Sequence, residues 1–186
     1  MAQVSPPDVY GIVEPNVYRS NFWHPSNFPF LKSLGLRTLL VLSPDKPLRP
    51  IADFCEDNSV NVIHLGLSAW KLDASSWKPV SDELVKEALE ITLDVTTHPV
   101  MLMCSSGIHQ TGTIVGCLRR LQNWNLTSIL NEYRLYAGSK SRYTNEQFIE
   151  LFDLDLVRVP LSPPAWFVQM TEPIEGAVNY NETAER

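Results

Sequence analysis

Cys104 ends a short apolar run, and the residues after it have types that suit nucleophilic chemistry on an anion. A thiol acts as a nucleophile in its thiolate form, which nearby positive charge and a helix N-terminus favour. Gly107 permits a tight turn in which backbone N–H groups converge on one anion. The hydroxyl of Thr111 can donate to the sulfur. Together these residues predict a thiol nucleophile at the base of a phosphate cradle.

The spacing from Cys104 to Gly112 matches C-x5-R-[ST]-G, the loop of cysteine-dependent phosphatases, except at Gln110. The arginine of this pattern gives a planar fork of donors to two phosphate oxygens and neutralises charge in the transition state. Glutamine keeps a donor but has neither the charge nor the fork. We therefore expect a loop that holds phosphate and turns it over poorly. The predicted phosphate-binding residues are Ser105, Ser106, Gly107, Ile108, His109 and Gln110, with Cys104 as nucleophile and Thr111 as thiolate partner.

Apolar runs of strand length alternate with amphipathic helices, and this alternation predicts the elements that position the loop. Right-handed crossovers through the helices make neighbouring strands parallel. We therefore predict an α/β fold with a central, mainly parallel sheet flanked by helices. The predicted strands are 17–19, 37–42, 60–65 and 100–104, and the predicted helices are 28–34, 51–58, one that begins after Ser81, 111–122, 126–137 and 144–154.

Local signals predict several helix ends. Gly35 follows the first helix in the position that favours a left-handed C′ residue. Ser81 is expected to be an N-cap, because two acidic residues follow it in the first turn. Thr144 and Gln147 have the spacing of a capping box for the last of the predicted helices.

Composition limits the classes of function. The net charge of −6 argues against a general binder of nucleic acid or of anionic membranes. The chain has three cysteines without framework spacing, which predicts free thiols in a reducing compartment, and we expect a cytoplasmic protein. Neither a signal peptide nor a membrane span is expected, and the residue spacing predicts no metal site and no cofactor. The expected organisation is a flexible N-terminus over 1–9, one domain over 10–170 and a disordered acidic tail over 171–186.

Two long segments carry a family resemblance. The first, before the loop, is VYGIVEPNVYRSNFWHPSNFPFLKSLGLRTLLVLS, and the second, directly after the loop, is TGTIVGCLRRLQNWNLTSILNEYRLYAGSKSRYTNEQFIELFD. They resemble the plant and fungal atypical dual-specificity phosphatases. That group includes fungal inositol pyrophosphate phosphatases and proteins named for oxidant-induced cell-cycle arrest. The resemblance implies a compact cysteine-phosphatase fold and a ligand that is a phosphorylated protein or an inositol phosphate.

The resemblance also identifies where this chain departs from the family. Active loops there resemble H-C-x-x-G-K-H-R-T-G, whereas this chain has Met103, Ile108 and Gln110 at the histidine, lysine and arginine positions. These departures imply a loop without its basic charge. Lys140 and Arg142 match a family lysine and arginine that could line the pocket rim. The general acid in such enzymes comes from a loop before the cysteine strand, which makes Asp73 a candidate.

Three functions are compatible with these residues. The first is a tyrosine-phosphatase-like protein with impaired catalysis that acts as a binding or regulatory subunit, in a complex with related family members. The second is an active phosphatase that forms a phosphocysteine at Cys104. The third is a thiol redox sensor, which ranks last because Cys117 lies two to three turns along the following helix, too far for an easy disulfide.

Overall fold

The computed structural model describes residues 4–67 and 76–171, and a five-stranded sheet forms the centre of these ranges. Its strands are β1 Gly11–Glu14, β2 Val17–Ser20, β3 Thr38–Val41, β4 Asn61–His64 and β5 Val100–Met103. Their order across the sheet is β1-β2-β5-β3-β4. The pair β1 and β2 is antiparallel, and the other neighbouring pairs are parallel. The predicted mainly parallel sheet is therefore confirmed.

Helices cover both faces of the sheet. They are α1 Phe28–Ser33, α2 Arg49–Asp57, α3 Asp82–Thr92, α4 His109–Leu121, α5 Leu126–Ala137, α6 Tyr143–Leu151 and α7 Ala165–Thr171. One core joins the sheet to α3, α4, α5 and α6, and a second core joins it to α1 and α2. The predicted arrangement of a sheet flanked by helices is confirmed.

The two central strands, β3 and β5, are buried along their whole length. Successive side chains point to opposite faces of a strand. Leu102 accordingly lies in the core with α4, whereas Met101 and Met103 lie in the core with α1 and α2. Burial on both faces explains why these segments are continuous apolar runs in the sequence.

Two of the predicted helix ends are confirmed. The Ser81 Oγ accepts a hydrogen bond of 3.2 Å from the Leu84 N–H, as an N-cap does. Gly35 has φ +59° and its N–H donates to the Lys32 carbonyl at 3.2 Å, as a C′ residue does.

The predicted capping box at Thr144 is wrong. Helix α6 begins at Tyr143, so Thr144 lies inside its first turn, and the residue at the cap, Arg142, makes no side-chain cap bond. The backbone N–H of Arg142 instead donates to the Tyr133 Oη at 3.2 Å, and the cap lies two residues before Thr144. The helix also ends at Leu151 rather than at 154.

Two further elements differ from the prediction. Strand β1 was not predicted, because its segment holds only two apolar residues between Gly11 and Glu14. Helix α4 begins at His109 rather than at Thr111. As a result, Gln110 lies within the first turn of a helix, where the N–H groups have no partner inside the helix.

Arg119 joins three elements behind the sheet. Its Nε donates to the Glu132 Oε2 on α5 at 2.9 Å, and its Nη2 donates to the Val13 carbonyl on β1 at 2.9 Å. The Nη1 forms an ion pair with Glu14, and the guanidinium lies 4.3 Å from the ring centroid of Trp124. Each charge in this buried group is paired, so the group holds the unpredicted β1 against the helices.

The ends of the described ranges make contacts with the domain. The Asn27 Nδ2 donates to the carbonyls of Ser5 and Pro6 at 3.2 and 3.0 Å, while the flexibility expected for 1–9 stays a prediction. Phe167 on α7 is buried in the core. The predicted tail lies outside the described residues from 172 onward. Across 4–67 and 76–171, no helix has the length and apolar character needed to cross a bilayer.

Candidate active site

Cys104 lies between the carboxyl end of β5 and the N-terminus of α4, and its side chain is fully buried. Only the residues 105–108 separate it from the first helical residue, His109. A short strand-to-helix turn of this kind presents loop and helix N–H groups to an anion. The element order predicted around the nucleophile is therefore present.

The end of β2 braces the loop through two loop carbonyls. The Phe22 N–H donates to the Ser105 carbonyl at 3.4 Å, and the Arg19 Nη2 donates to the Gly107 carbonyl at 3.0 Å. In a trans peptide the next N–H points opposite to the carbonyl. The two amides that follow these carbonyls therefore point away from β2.

Position 107 requires a glycine, because of both its backbone conformation and its surroundings. Its φ is +68°, and an added Cβ would lie 2.6 Å from the Asn21 backbone nitrogen. Its N–H donates to the Cys104 carbonyl at 3.2 Å, which closes the turn. A side chain here would be strained by the positive φ and would collide with backbone.

The loop side chains differ in what they can offer a ligand. Ser105 is exposed, whereas the Ser106 Oγ accepts a hydrogen bond of 3.3 Å from the Ile108 N–H. The Ile108 side chain is buried in the same core as Cys104. Its position explains an apolar residue here, and its one backbone donor is already bonded to Ser106.

Gln110 and Thr111 occupy the first turn of α4. Gln110 is half-buried, and Thr111 is fully buried. The Thr111 Oγ1 has no hydrogen-bond partner among the described residues, so it is free to donate to a thiolate. Its role toward Cys104 stays a prediction. Met103, at the family's histidine position, is packed in the apolar core with α1 and α2.

His109 is the loop's one residue with an imidazole, and its surroundings favour the neutral form. Burial lowers the pKa of His109 below its usual value, and the positive charges of Arg142 and Lys140 lower it further. Its Nδ1 is buried without a hydrogen-bond partner in the described part of the chain. The loop side chains therefore carry no full positive charge near pH 7.

Lys140 and Arg142 lie within electrostatic range of His109, and both are exposed. Between them, the Ser141 Oγ donates to the Glu146 Oε1 at 3.0 Å. The same carboxylate accepts a hydrogen bond of 2.8 Å from the Arg134 Nε. These contacts fix the turn that carries the two cations, whose role at a pocket rim stays a prediction.

Sequence reasoning missed Arg19, which lies against the loop from β2. It is 1% exposed, and its guanidinium carbon lies 3.7 Å from the ring centroid of Tyr136. Burial lowers the pKa of Arg19, and electrostatic interactions with Tyr136, Glu132 and Cys104 oppose that shift. Strand alternation could have revealed this residue, because Val17 and Arg19 occupy positions on the same face.

Asp73, the candidate general acid, lies in the range 68–75, outside the described residues. The chain enters that range from the carboxyl edge of the sheet, where β5 also ends. There the His64 Nε2 hydrogen-bonds the Ser43 carbonyl at 2.8 Å, and an added Cβ on Gly66 would lie 1.9 Å from the same oxygen. The assignment of Asp73 stays a prediction.

The remaining thiols do not form a second reactive site near Cys104. Cys55 and Cys117 are free and buried, and burial raises the pKa of both thiols, to about 11 for Cys55. Among residues 4–67 and 76–171, no cluster of three or more histidine, cysteine or acidic residues could hold a metal ion.

Comparisons with a family model and with known proteins point to the same family. The model of the tyrosine phosphatase family matches residues 4–170. A probable tyrosine-protein phosphatase, DG1060 of Dictyostelium discoideum, is 47% identical over 163 residues, which are 88% of this chain and 96% of that protein. The inositol diphosphatase DSP4 of Arabidopsis thaliana is 37% identical over 158 residues, covering 84% of this chain and 78% of that protein.

A solved structure supports the same conclusion at the level of the fold. The core catalytic domain of the PP-IP phosphatase SIW14 from S. cerevisiae superposes with a TM-score of 0.74 and 35% identity, covering 82% of this chain and 90% of that domain. The likeness therefore covers most of both chains rather than a local motif. With a family match over 4–170 and relatives at 37–47% identity, this chain belongs to the tyrosine phosphatase family.

Proposed function

We propose that this family member binds a phosphorylated ligand at the loop from Cys104 to Gln110 and hydrolyses it slowly or not at all. In the reaction of an intact loop, the thiolate attacks phosphorus as the bond from phosphorus to the leaving oxygen breaks and that oxygen takes up a proton; water then hydrolyses the phosphocysteine to the thiol and inorganic phosphate. Charge that grows on the phosphoryl oxygens must be stabilised throughout. The proposal is that this chain retains the cradle and has lost that stabilisation.

One observation carries the proposal: Gln110 occupies the first turn of α4, in the position of the pattern's arginine. Its amide can donate one hydrogen bond to a phosphate oxygen but brings no charge. The neighbouring His109 does not replace the missing cation, because burial and two nearby cations lower its pKa. Loss of one oxyanion donor costs about 10²–10³ in rate, and loss of a charged fork costs at least as much.

The bracing of the loop supports retained binding. The end of β2 holds two loop carbonyls, which orients the following amides away from that strand. Gly107 keeps the positive φ that closes the turn, and the Thr111 hydroxyl is free. A loop that had lost all contact with phosphate would have no need of this geometry.

The names of the relatives suggest two ligand classes. Relatives include a probable tyrosine-protein phosphatase and an inositol diphosphatase, so the proposed ligand is a phosphotyrosine protein or an inositol pyrophosphate. An inositol pyrophosphate carries several negative charges that a neutral loop cannot balance. For that ligand the charges of Lys140 and Arg142 at the rim would have to contribute.

An active phosphatase is the second candidate, and Arg19 is the observation that favours it. A buried guanidinium that contacts the Gly107 carbonyl provides permanent positive charge close to the loop. In this alternative Cys104 forms a phosphocysteine, with charge supplied from β2 rather than from α4.

A turnover assay separates the two candidates. The purified chain and its Cys104→Ser variant are incubated with an aryl phosphate, a phosphotyrosine peptide and an inositol pyrophosphate, and phosphate release is measured. The proposal expects rates within a few-fold of the Cys104→Ser variant. Release that exceeds the variant by a hundredfold or more on any substrate would establish the active phosphatase instead.

A binding assay tests the other half of the proposal. Titration calorimetry with the same peptide and inositol pyrophosphate is expected to give saturable binding to the wild-type chain. The Gly107→Ala variant, which disrupts the loop backbone, is expected to bind neither. Equal binding by both proteins would place the ligand elsewhere.

A chain that binds without turnover could act as a regulatory subunit, and we extend the proposal to a complex with related phosphatase-like proteins in the cytoplasm. Co-expression with a related family member followed by size-exclusion chromatography tests this extension. A shared peak at the summed mass is expected, whereas separate elution of both chains would contradict it.

A further inference from the structure

Arg19 is a buried cation without a carboxylate partner among the described residues. Its Nη2 donates to the Gly107 carbonyl, but its Nε and Nη1 are buried and make no hydrogen bond there. The carboxylate that interacts with it electrostatically, Glu132, already accepts two hydrogen bonds from Arg119. An unpaired charge in a protein interior is costly, so its retention calls for an anionic partner.

The surroundings of Arg19 place it beneath the phosphate loop. The guanidinium stacks on Tyr136 of α5, and an added Cβ on Gly112, in the first turn of α4, would lie 3.6 Å from its Nη2. It is therefore enclosed by the loop on one side and by two helices on the others. Nothing in that enclosure, within the described residues, is a free carboxylate.

The titratable groups around this cation come from each element packed against it. Tyr136 and Glu132 belong to α5, Arg119 belongs to α4, and Cys104 ends β5. Of these, Glu132 is paired with Arg119. The thiol of Cys104 belongs to the turn that Arg19 contacts, because the Gly107 N–H donates to the Cys104 carbonyl and the Gly107 carbonyl accepts from Arg19.

We propose that Arg19 is the positioning residue of the phosphate loop, and that its charge favours the thiolate of Cys104 and the binding of phosphate at the loop. This inference rests on the proposed function, since it takes the loop as an anion site. The hydrogen bond to the Gly107 carbonyl fixes that peptide plane and so the direction of the Ile108 amide, which donates to the Ser106 Oγ within the loop. The charge acts through the loop rather than through contact with the ligand.

The role of charge is tested on the thiol alone, without any ligand. The thiolate of Cys104 is followed by its absorbance at 240 nm against pH, as the difference from a matched Cys104→Ser background. In Arg19→Gln the titration midpoint is expected to rise by about one pH unit, the effect of removing one nearby opposite charge. In Arg19→Lys, which keeps the charge, the rise is expected to be less than half as large.

The role of the hydrogen bond is tested with tungstate as a phosphate analogue, by calorimetry. Arg19→Lys keeps the charge but lacks the planar donor, so its tungstate affinity is expected to fall at least threefold. Arg49→Gln is the matched control, because its side chain on α2 is 93% exposed, and both readouts are expected to stay at the wild-type value.

Three results would overturn the proposal. They are a folded Arg19→Gln whose titration overlays the wild type, a Lys variant whose midpoint moves as far as that of the Gln variant, and a Lys variant with wild-type tungstate affinity. If Arg19→Gln shows no cooperative unfolding transition and is therefore not folded, the tungstate affinity of Arg19→Lys tests the proposal by itself. A wild-type chain that binds no tungstate would contradict the proposed function, while the thiolate titration would still test Arg19.

Discussion

The side-chain amide of Asn145 donates a hydrogen bond of 2.8 Å to the hydroxyl of Thr113, and both residues are fully buried. This contact joins α6 to α4. Helix α4 begins in the phosphate loop, and α6 begins directly after Arg142. The pair therefore couples the helix that carries Gln110 to the segment that carries the two rim cations.

Removal of this amide is expected to destabilise the whole domain. Asn145→Ala leaves the Thr113 hydroxyl without its donor in the core and creates a small cavity, at a cost of about 2 kcal/mol in the free energy of unfolding. Urea denaturation measures the change. Asn131→Ala, on the exposed side of α5, is the control and should change stability by no more than about 0.5 kcal/mol. Equal stability of the two variants would show that the buried contact contributes nothing.

The Glu146 carboxylate is expected to make stability depend on pH. Its hydrogen bond from Arg134 is the main cause of a lowered pKa, with a further contribution from Ser141. A carboxyl whose pKa is lower in the folded state stabilises the fold above its unfolded pKa, and this contribution is lost as pH falls through the folded pKa. Glu146→Gln is therefore expected to lower the free energy of unfolding by about 1 kcal/mol at pH 7. This value is kept small because Arg134 is half-exposed and solvent screens the ion pair.

The pH profile distinguishes this effect from a general loss of stability. Thermal unfolding of wild type and Glu146→Gln is compared from pH 7 down to pH 3, and the difference in Tm is expected to shrink through the acidic range. Glu150→Gln changes an exposed carboxylate on the same helix and should give no such trend. A Glu146→Gln difference that stays constant with pH would mean that the carboxylate charge has no part in it.

Gly107 and Gly35 offer a matched pair for testing the loop. Both have positive φ, +68° and +59°, but only Gly107 has backbone within 3 Å of an added Cβ, at Asn21. Gly35→Ala is expected to cost about 1 kcal/mol from φ strain alone and to leave phosphate-analogue binding unchanged. Gly107→Ala is expected to cost about 2–3 kcal/mol and to abolish tungstate binding. Tungstate affinity at the wild-type value in Gly107→Ala would remove the loop backbone from the site.

Much of the fold could be predicted from the sequence, because its elements have strong local signals. β3 and β5 are continuous apolar runs, and α3 has an N-cap with acidic residues behind it. Weak or conflicting signals led to the errors. The Thr144 and Gln147 spacing imitates a capping box, but a tertiary contact between Arg142 and Tyr133 determines where α6 begins.

The site was predicted only as far as its residues lie together in sequence. The order of Cys104, Gly107 and Thr111 within one loop is visible in the chain, and so is the absence of an arginine. Arg19 lies 88 positions from Gly107, and no local pattern links them. Its contribution depends on β2 pairing with β5, which is a property of the sheet order rather than of any motif.

The rim cations are expected to control the charge state of His109. Arg142 and Lys140 both lower the pKa of His109, after the larger effect of burial. The double variant Lys140→Gln, Arg142→Gln removes two positive charges, so the imidazolium becomes less unfavourable and the pKa rises. NMR titration of the imidazole resonances measures the shift. Lys32→Gln, on α1, is the control. An unchanged His109 pKa in the double variant would show that Lys140 and Arg142 are too far from the loop to affect it.

Introduction of an arginine at position 110 is the most direct test of the proposed catalytic impairment. In Gln110→Arg, a guanidinium enters the first turn of α4, where it can offer two donors and a positive charge to phosphoryl oxygens. The loop is already held by the contact of Arg19 with the Gly107 carbonyl, and the Thr111 hydroxyl has no partner among the described residues. Turnover of an aryl phosphate is therefore expected to rise by at least about 10² over wild type. The rise must vanish in the Gln110→Arg, Cys104→Ser double variant if the Cys104 thiolate is the proposed nucleophile. If Gln110→Arg binds tungstate more tightly but hydrolyses no faster, the missing arginine is not the only defect, and proton transfer to the leaving group becomes the next step to examine.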